Sequence, residues 1–373
     1  MMWGVSSMAT VTIAPSLLFS TTKLGVVMEP QPHNPCESGG VLNPAGVTGP
    51  DGEFYLFPRL VAAHNYSRIG TARVLHDAVG CPCGVERLGL ALEPQAPYEL
   101  VRPGVGGCED ARVTFLAGLH TYVMAYTALG LRGPHVALAS SPDLRRWTRH
   151  GLVDFAAERE VDFNVYANKD ALLLPEPVRA PTGELALALL HRPVYQTWVG
   201  TTSRGSRTAP LPAGVDDARP SIWLSYCPLH DLAWLDGDAP PRFAQHHLLV
   251  TPQAAWEVDR IGGGTVPVRT AAGWLTFYHG VVRYPDGERC YQTGALLLER
   301  DDLRHVLARS AEPLFGPETA EERVGVVNNV VFPTAVEEHR NGLYVYYGMA
   351  DRCIGVAHIA IAQVAEQALC AAA

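Results

Sequence analysis

Charge is scarce in this sequence, and no excess of positive charge runs through it. Charged residues make up 18% of the 373 residues and the net charge is -9. The overall field therefore draws in no nucleic acid, and any anion must be held by a local cluster of cations. No apolar run approaches the ~20 residues that a membrane-spanning helix needs. The eight cysteines are scattered. The one close pair, Cys81 and Cys83, has no second pair to complete a zinc site. A chain of this length does not depend on a disulfide framework, so the thiols read as reduced and the protein as cytoplasmic. Gly-x-Ser-x-Gly and His-Glu-x-x-His are both missing, and Gly262-Gly263-Gly264 matches neither a phosphate loop nor a dinucleotide fingerprint. His246-His247 lacks metal-ligand spacing. Neither a metal nor an organic cofactor is expected. The apolar N-terminus lacks the basic flank and cleavage site of a signal peptide, and residues 1–32 are set apart as an N-terminal extension.

What the sequence does have is turns, apolar strands and repetition. Gly 35, Pro 29 and a hydrophobic fraction of 47% predict short strands around a large core. One pattern recurs five times: a polar opening, an apolar strand, a Gly-bearing turn, a Tyr/Leu-rich strand and a small-apolar-Ala strand. The copies open near Asn43, Asp110, Lys169, Gly263 and Asn328, roughly 60 to 95 residues apart. A single such sheet cannot bury both faces, whereas units packed radially can. The pattern predicts an all-β, five-bladed β-propeller over residues 33–360 with a central active-site cavity. A β-sandwich would explain the strands but not the repeat. Residues 197–220, rich in Gly, Ser, Thr and Arg, read as a loop inserted in the third repeat. The Ala-rich tail, residues 361–373, reads as a short helix.

A propeller brings equivalent strand openings to one axis. Here those openings are polar where packing alone would make them apolar. Two sets of side chains stand out with them: the carboxylates Asp110, Asp170 and Asp351, and the cations Arg59, Lys169, Arg192 and Arg260, with His279 as a further cation. Several cations in one cavity are costly unless they hold an anion or pair with acids. Bound phosphate is one solution; neighbouring pairs, such as Lys169 with Asp170, are the other.

The order of short motifs from Asn34 to Ala357 resembles glycoside hydrolase family 130, the mannoside phosphorylases and mannosidases. The matching segments include Asn43-Pro44-Ala45, Phe57-Pro58-Arg59, Gly107-Cys108-Glu109-Asp110-Ala111-Arg112 and Asn168-Lys169-Asp170. They continue with His191-Arg192-Pro193, Arg260-Ile261-Gly262-Gly263-Gly264, Tyr278-His279-Gly280 and Tyr346-Tyr347-Gly348-Met349-Ala350-Asp351. The resemblance implies an inverting reaction on a small β-mannoside, with Asp110 as general acid. It implies inorganic phosphate as co-substrate, held by Lys169, Arg192, Arg260 and His279, and sugar subsites lined by Asn43, Arg59, Asp170 and Asp351. It leaves room for a homo-oligomer and implies no nucleic-acid or membrane partner. A phosphorylase needs cations for its nucleophile, whereas an inverting hydrolase needs a second carboxylate to activate water. Basic residues at these positions favour phosphorolysis to α-mannose 1-phosphate. The alternatives are an inverting β-mannosidase, for which Glu257 could serve as base, and a non-catalytic glycan-binding propeller. Ala111 stands where the family usually has Pro, and Arg260 where it often has Lys.

Overall fold

Short runs of Val, Leu, Ile, Tyr and Phe, each closed by a Gly- or Asp-bearing turn, form antiparallel hairpins along almost the whole chain. The computed structural model describes residues 19–158, 161–198, 206–208, 211–340 and 342–361. Among them the longest α-helix is the four-residue Ala320–Arg323, so the fold is all-β. None of the described helices is long and apolar enough to cross a membrane.

Five antiparallel units make up the fold. The first comprises Gly40–Thr48, Phe54–Val61, Ser67–His76 and Pro82–Leu92. The second comprises Val105–Leu116, Thr121–Gly130, Gly133–Ser141 and Thr148–Leu152; only the parallel pairing of Ser67 with Gly107 joins it to the first. The third holds Ala167–Leu173, Leu185–Val194, Ile222–Pro228 and Arg242–Val250, and the fourth holds Arg260–Gly263, Trp274–Arg283, Arg289–Leu298 and Val306–Arg309. The fifth holds Val331–His339, Gly342–Met349 and Cys353–Ile361, and its outer strand is Phe19–Met28 from the other end of the chain.

This last pairing corrects the reading of residues 1–32 as an extension. Phe19 pairs with Ile361 and the ladder runs to Met28 opposite Ile354. Alternate residues of this strand are more buried, as a half-buried strand requires. Its partner lies more than 300 residues away, so no local pattern announces the pairing. Residues 1–18 and the tail from 362 onward lie outside the described residues, as do 199–205 and 209–210 of the inserted loop. Within that loop, Gln196–Trp198 and Ser206–Thr208 form a small ribbon.

The apolar faces of the units pack in chain order. Phe57, Val113 and Tyr126 share a core between the first and second units. Leu138, Phe163 and Trp223 do so between the second and third, and Leu224, Tyr278 and Leu296 between the third and fourth. Phe277, Val345 and Tyr347 link the fourth and fifth. Val41, Leu56, Tyr346 and Val356 link the fifth back to the first. Each such side chain contributes on the order of 2 kcal/mol by leaving water.

A buried glutamate recurs ahead of four units: Glu37, Glu99, Glu257 and Glu322. Each accepts backbone N–H bonds at a tight turn. Glu257 takes those of Gln253 and Ala254, and Glu322 those of Glu318 and Thr319. Each also binds a cation from an outer strand: Arg87, Arg149, Arg309 and Lys23 respectively. Three of them accept a tyrosine hydroxyl as well, from Tyr126, Tyr278 and Tyr347. The third unit replaces this latch with a chain of His191, Ser225 and His246, linked at 2.8 Å each.

Candidate active site

The first strands of the first three units carry the same irregularity. Between Leu42 and Ala45, Glu109 and Arg112, and Lys169 and Leu172, two residues face one on the neighbouring strand. The leading bulge residues Asn43, Asp110 and Asp170 take positive φ of 45°, 48° and 55°. Glycine usually occupies that position in such a bulge; Asn and Asp are the side chains that tolerate it. Asp351, at φ 52°, sits in the turn after Gly342–Met349. Strained backbone thus aims four polar side chains inward, where regular strands would alternate them away.

They meet in a cavity of about 340 Å³. All nine residues singled out in the sequence line it: Asn43, Arg59, Asp110, Lys169, Asp170, Arg192, Arg260, His279 and Asp351. They divide by origin. The first, second and fifth units supply Asn43, Arg59, Asp110 and Asp351, while the third and fourth supply Lys169, Asp170, Arg192, Arg260 and His279.

On the first side, Asp110 Oδ1 accepts from Asn43 Nδ2 at 2.9 Å and Arg59 Nη1 at 3.2 Å. Arg59 also donates to Glu109 Oε1 at 2.7 Å and to Ser67 Oγ at 2.9 Å. Burial works against ionisation of Asp110, but the charges of Arg59 and Lys169 and the Asn43 hydrogen bond outweigh it, and the carboxyl lies below its usual range. Asp351 behaves oppositely. Burial and the neighbouring Asp110 charge overcome Arg59 and Lys169, pushing it up to about 6.

On the second side, Asp170 Oδ2 pairs with Arg192 Nε, and His279 Nε2 lies 3.7 Å from the same oxygen. Lys169 is therefore not the ion-pair partner of Asp170; Arg192 is. Burial opposes ionisation of Asp170, yet the Arg192 guanidinium holds its carboxyl well below the usual range. His279 was read from the sequence as a further cation, and here the structure corrects that reading. Burial, reinforced by Arg192, Arg260 and Arg112 against the pull of Asp170, lowers the imidazole to about 3, so the ring is neutral at neutral pH. Its buried Nδ1 has no hydrogen-bond partner.

Several lining residues escaped the sequence reading. Arg289, Tyr291 and Phe332 also face the cavity. Arg260 Nη2 donates to Tyr291 Oη at 2.9 Å, and the His279 ring lies 4.4 Å from that of Phe332. Arg289 and Tyr291 sit two apart on a strand, so they share a face; that alternation was the available signal. Behind the cavity, fully buried Arg112 donates to the carbonyls of Asp110, Ala111 and Gly264 and ties two units together. Glu257, the alternative base, is fully buried in its latch and does not line the cavity.

The model of the family described as beta-1,4-mannooligosaccharide phosphorylase matches residues 29–368. The chain belongs to glycoside hydrolase family 130. Two relatives in this family come from Thermoanaerobacter sp. (strain X514). The 1,2-beta-oligomannan phosphorylase is 29% identical over 346 residues, covering 89% of this chain and 93% of its own. The beta-1,2-mannobiose phosphorylase is 31% identical over 257 residues, covering 68% of this chain and 67% of its own. Among solved structures, the beta-1,2-mannobiose phosphorylase of Listeria innocua, in complex with beta-1,2-mannobiose, superposes with a TM-score of 0.66. It is 22% identical and covers 91% of this chain and 96% of its own.

Proposed function

We propose that the five units close into a five-bladed β-propeller whose axial cavity performs inverting phosphorolysis of a short β-mannoside, releasing α-mannose 1-phosphate. The observation that carries this reading is the split of the cavity: a carboxylate side built on Asp110 and a cation side built on Lys169, Arg192 and Arg260. The five cores shared between successive units, the last joining the fifth unit to the first, support the closed ring.

The mannosyl ring lies against Asn43, Arg59 and Asp351, with Asp110 as acid. Inorganic phosphate, the only co-substrate, lies against Lys169, Arg192, Arg260 and the neutral His279, which donates a hydrogen bond. Phosphate oxygen attacks the anomeric carbon as the bond to the leaving sugar breaks. The departing oxygen takes a proton that originates on Asp110, and the configuration inverts. Arg59 and Lys169 hold Asp110 in its ionised form. A phosphate dianion beside Lys169 offsets that positive field and raises the carboxyl toward the protonated form the step requires. Phosphate binding thus also charges the acid. A hydrolase would need a free carboxylate to activate water. Asp170 is engaged by Arg192, Asp351 shares the field of Arg59 with the acid, and Glu257 is enclosed.

Both relatives above are named for β-1,2-linked mannosides, so β-1,2-mannobiose is the first substrate to offer. The test is product analysis with β-1,2- and β-1,4-mannobiose, each with and without phosphate. Mannose 1-phosphate formed only with phosphate, and abolished by Asp110→Asn, is the expected result. Free mannose formed at equal rates in both conditions would overturn the reading.

A further inference from the structure

The cation side of the cavity does not end at the phosphate ligands. In the fourth unit, Gly262, His279 and Thr293 are paired across three strands; so are Arg260, Val281 and Tyr291, and Arg283 pairs with Arg289 beyond them. Paired residues, and those two positions along, share one face of a sheet. One face therefore carries His279, Arg260, Arg289 and Arg283 in succession. Side-chain exposure rises along it, from 1% at His279 through 21% at Arg260 to 39% at Arg289 and 49% at Arg283. His279, Arg260 and Arg289 line the cavity, and Arg283 continues the row beyond Arg289 into solvent.

At the mouth, three guanidinium groups surround one carboxylate. Asp259 lies 3.2 Å from Arg283 Nε, 3.7 Å from Arg260 Nη2 and 3.9 Å from Arg289 Nε. Arg289 Nε is buried and has no hydrogen-bond partner among the described residues. Of the two acids in the hairpin turn, Glu288 accepts from Asn329 Nδ2 at 3.3 Å and Asp286 accepts the backbone N–H of Glu288 at 3.0 Å, so neither carboxylate is bound to these guanidinium groups. Three guanidinium groups thus share one carboxylate at this point, on a molecule whose net charge is -9. Such a molecule repels anions at long range, yet the reaction proposed above takes one in and releases another.

Resting on that reading, we infer that Arg283 and Arg289 form an anion-loading subsite that collects inorganic phosphate at the mouth and passes it to Arg260. A positive patch at the opening of a low-dielectric cleft raises the local anion concentration and the rate of capture, and salt screens the effect. The two arginines act on arrival and departure of the anion, not on the bond being broken.

The test compares wild type with Arg283→Gln, Arg289→Gln and the double variant in phosphorolysis of β-1,2-mannobiose at low and high salt. The double variant is expected to lose kcat/KM for phosphate on the order of tenfold at low salt, with the loss falling in KM and shrinking as salt rises. The KM for the mannoside is expected to hold. Arg304→Gln removes the same charge from a remote surface pair with Asp302 and is expected to change nothing. In wild type, kcat/KM for phosphate is expected to fall with added salt more steeply than that for the mannoside, a reading that needs no variant to fold. Phosphorolysis with an unchanged phosphate KM in the double variant, or a loss equal at all salt concentrations, would overturn the loading subsite alone. Turnover independent of phosphate would overturn the phosphorylase reading and this inference with it.

Discussion

A Cβ built on Gly262 would lie 2.4 Å from both Asp170 Oδ2 and His279 Cε1 and 2.7 Å from Arg192 Nε. The missing side chain is what lets these three groups converge. Gly262→Ala is therefore expected to leave the fold intact and to cut kcat/KM for phosphate about 100-fold, on the scale of losing one well-placed donor; steady-state kinetics at varied phosphate checks it. Asp351 makes the opposite kind of statement. Its carboxyl is raised to about 6 from an ordinary 3.8, so the folded protein binds that proton more tightly than the unfolded chain. Stability contributed this way is present at low pH and is lost as pH rises from about 4 through 6. At neutral pH the ionised group costs on the order of 3 kcal/mol. Asp351→Asn is expected to raise Tm by about 4 °C at pH 7, with the gain vanishing below pH 4, while activity falls. Thermal melts across pH measure this. Asp110 and Asp351 were legible as two acids of one candidate site. Their opposite ionisation was not, because it depends on which carboxyl Arg59 and Asn43 touch.

At the scale of the element, the latch explains why a glutamate precedes four of the units. Glu257 binds two backbone N–H groups, a tyrosine and an arginine. Breaking such a buried pair costs about 3–5 kcal/mol. Glu257→Gln is expected to lower Tm by several degrees while kcat per folded molecule holds. Loss of kcat without loss of Tm would return Glu257 to the list of catalytic bases. The strands themselves were readable, since apolar alternation and Gly turns report on local backbone. The latch was not, because each glutamate looks like any surface acid until the outer strand of another hairpin delivers its cation. The third unit shows the same limit. Its His191, Ser225 and His246 occupy the place of a latch, with His191 bound to Asn168 beside the cavity, and nothing near them in sequence marks the exchange.

For the whole molecule, the repeat was the strongest signal, and it located the polar openings that meet in the cavity. What it could not supply was the strand that finishes the last unit, since Phe19–Met28 belongs to the fifth repeat in space and to none in sequence. Lys23 completes the fifth latch by reaching Glu322 at 2.8 Å, so this strand is bound both by its ladder to Cys353–Ile361 and by a buried ion pair. The consequence falls on biosynthesis. The segment leaves the ribosome more than 300 residues ahead of its partner. At roughly 5–20 residues per second, it waits on the order of half a minute with its hydrogen-bonding edge unpaired. Throughout that interval four units can assemble beside an unfinished fifth, and the nascent chain offers an open edge to any neighbour being made on the same message.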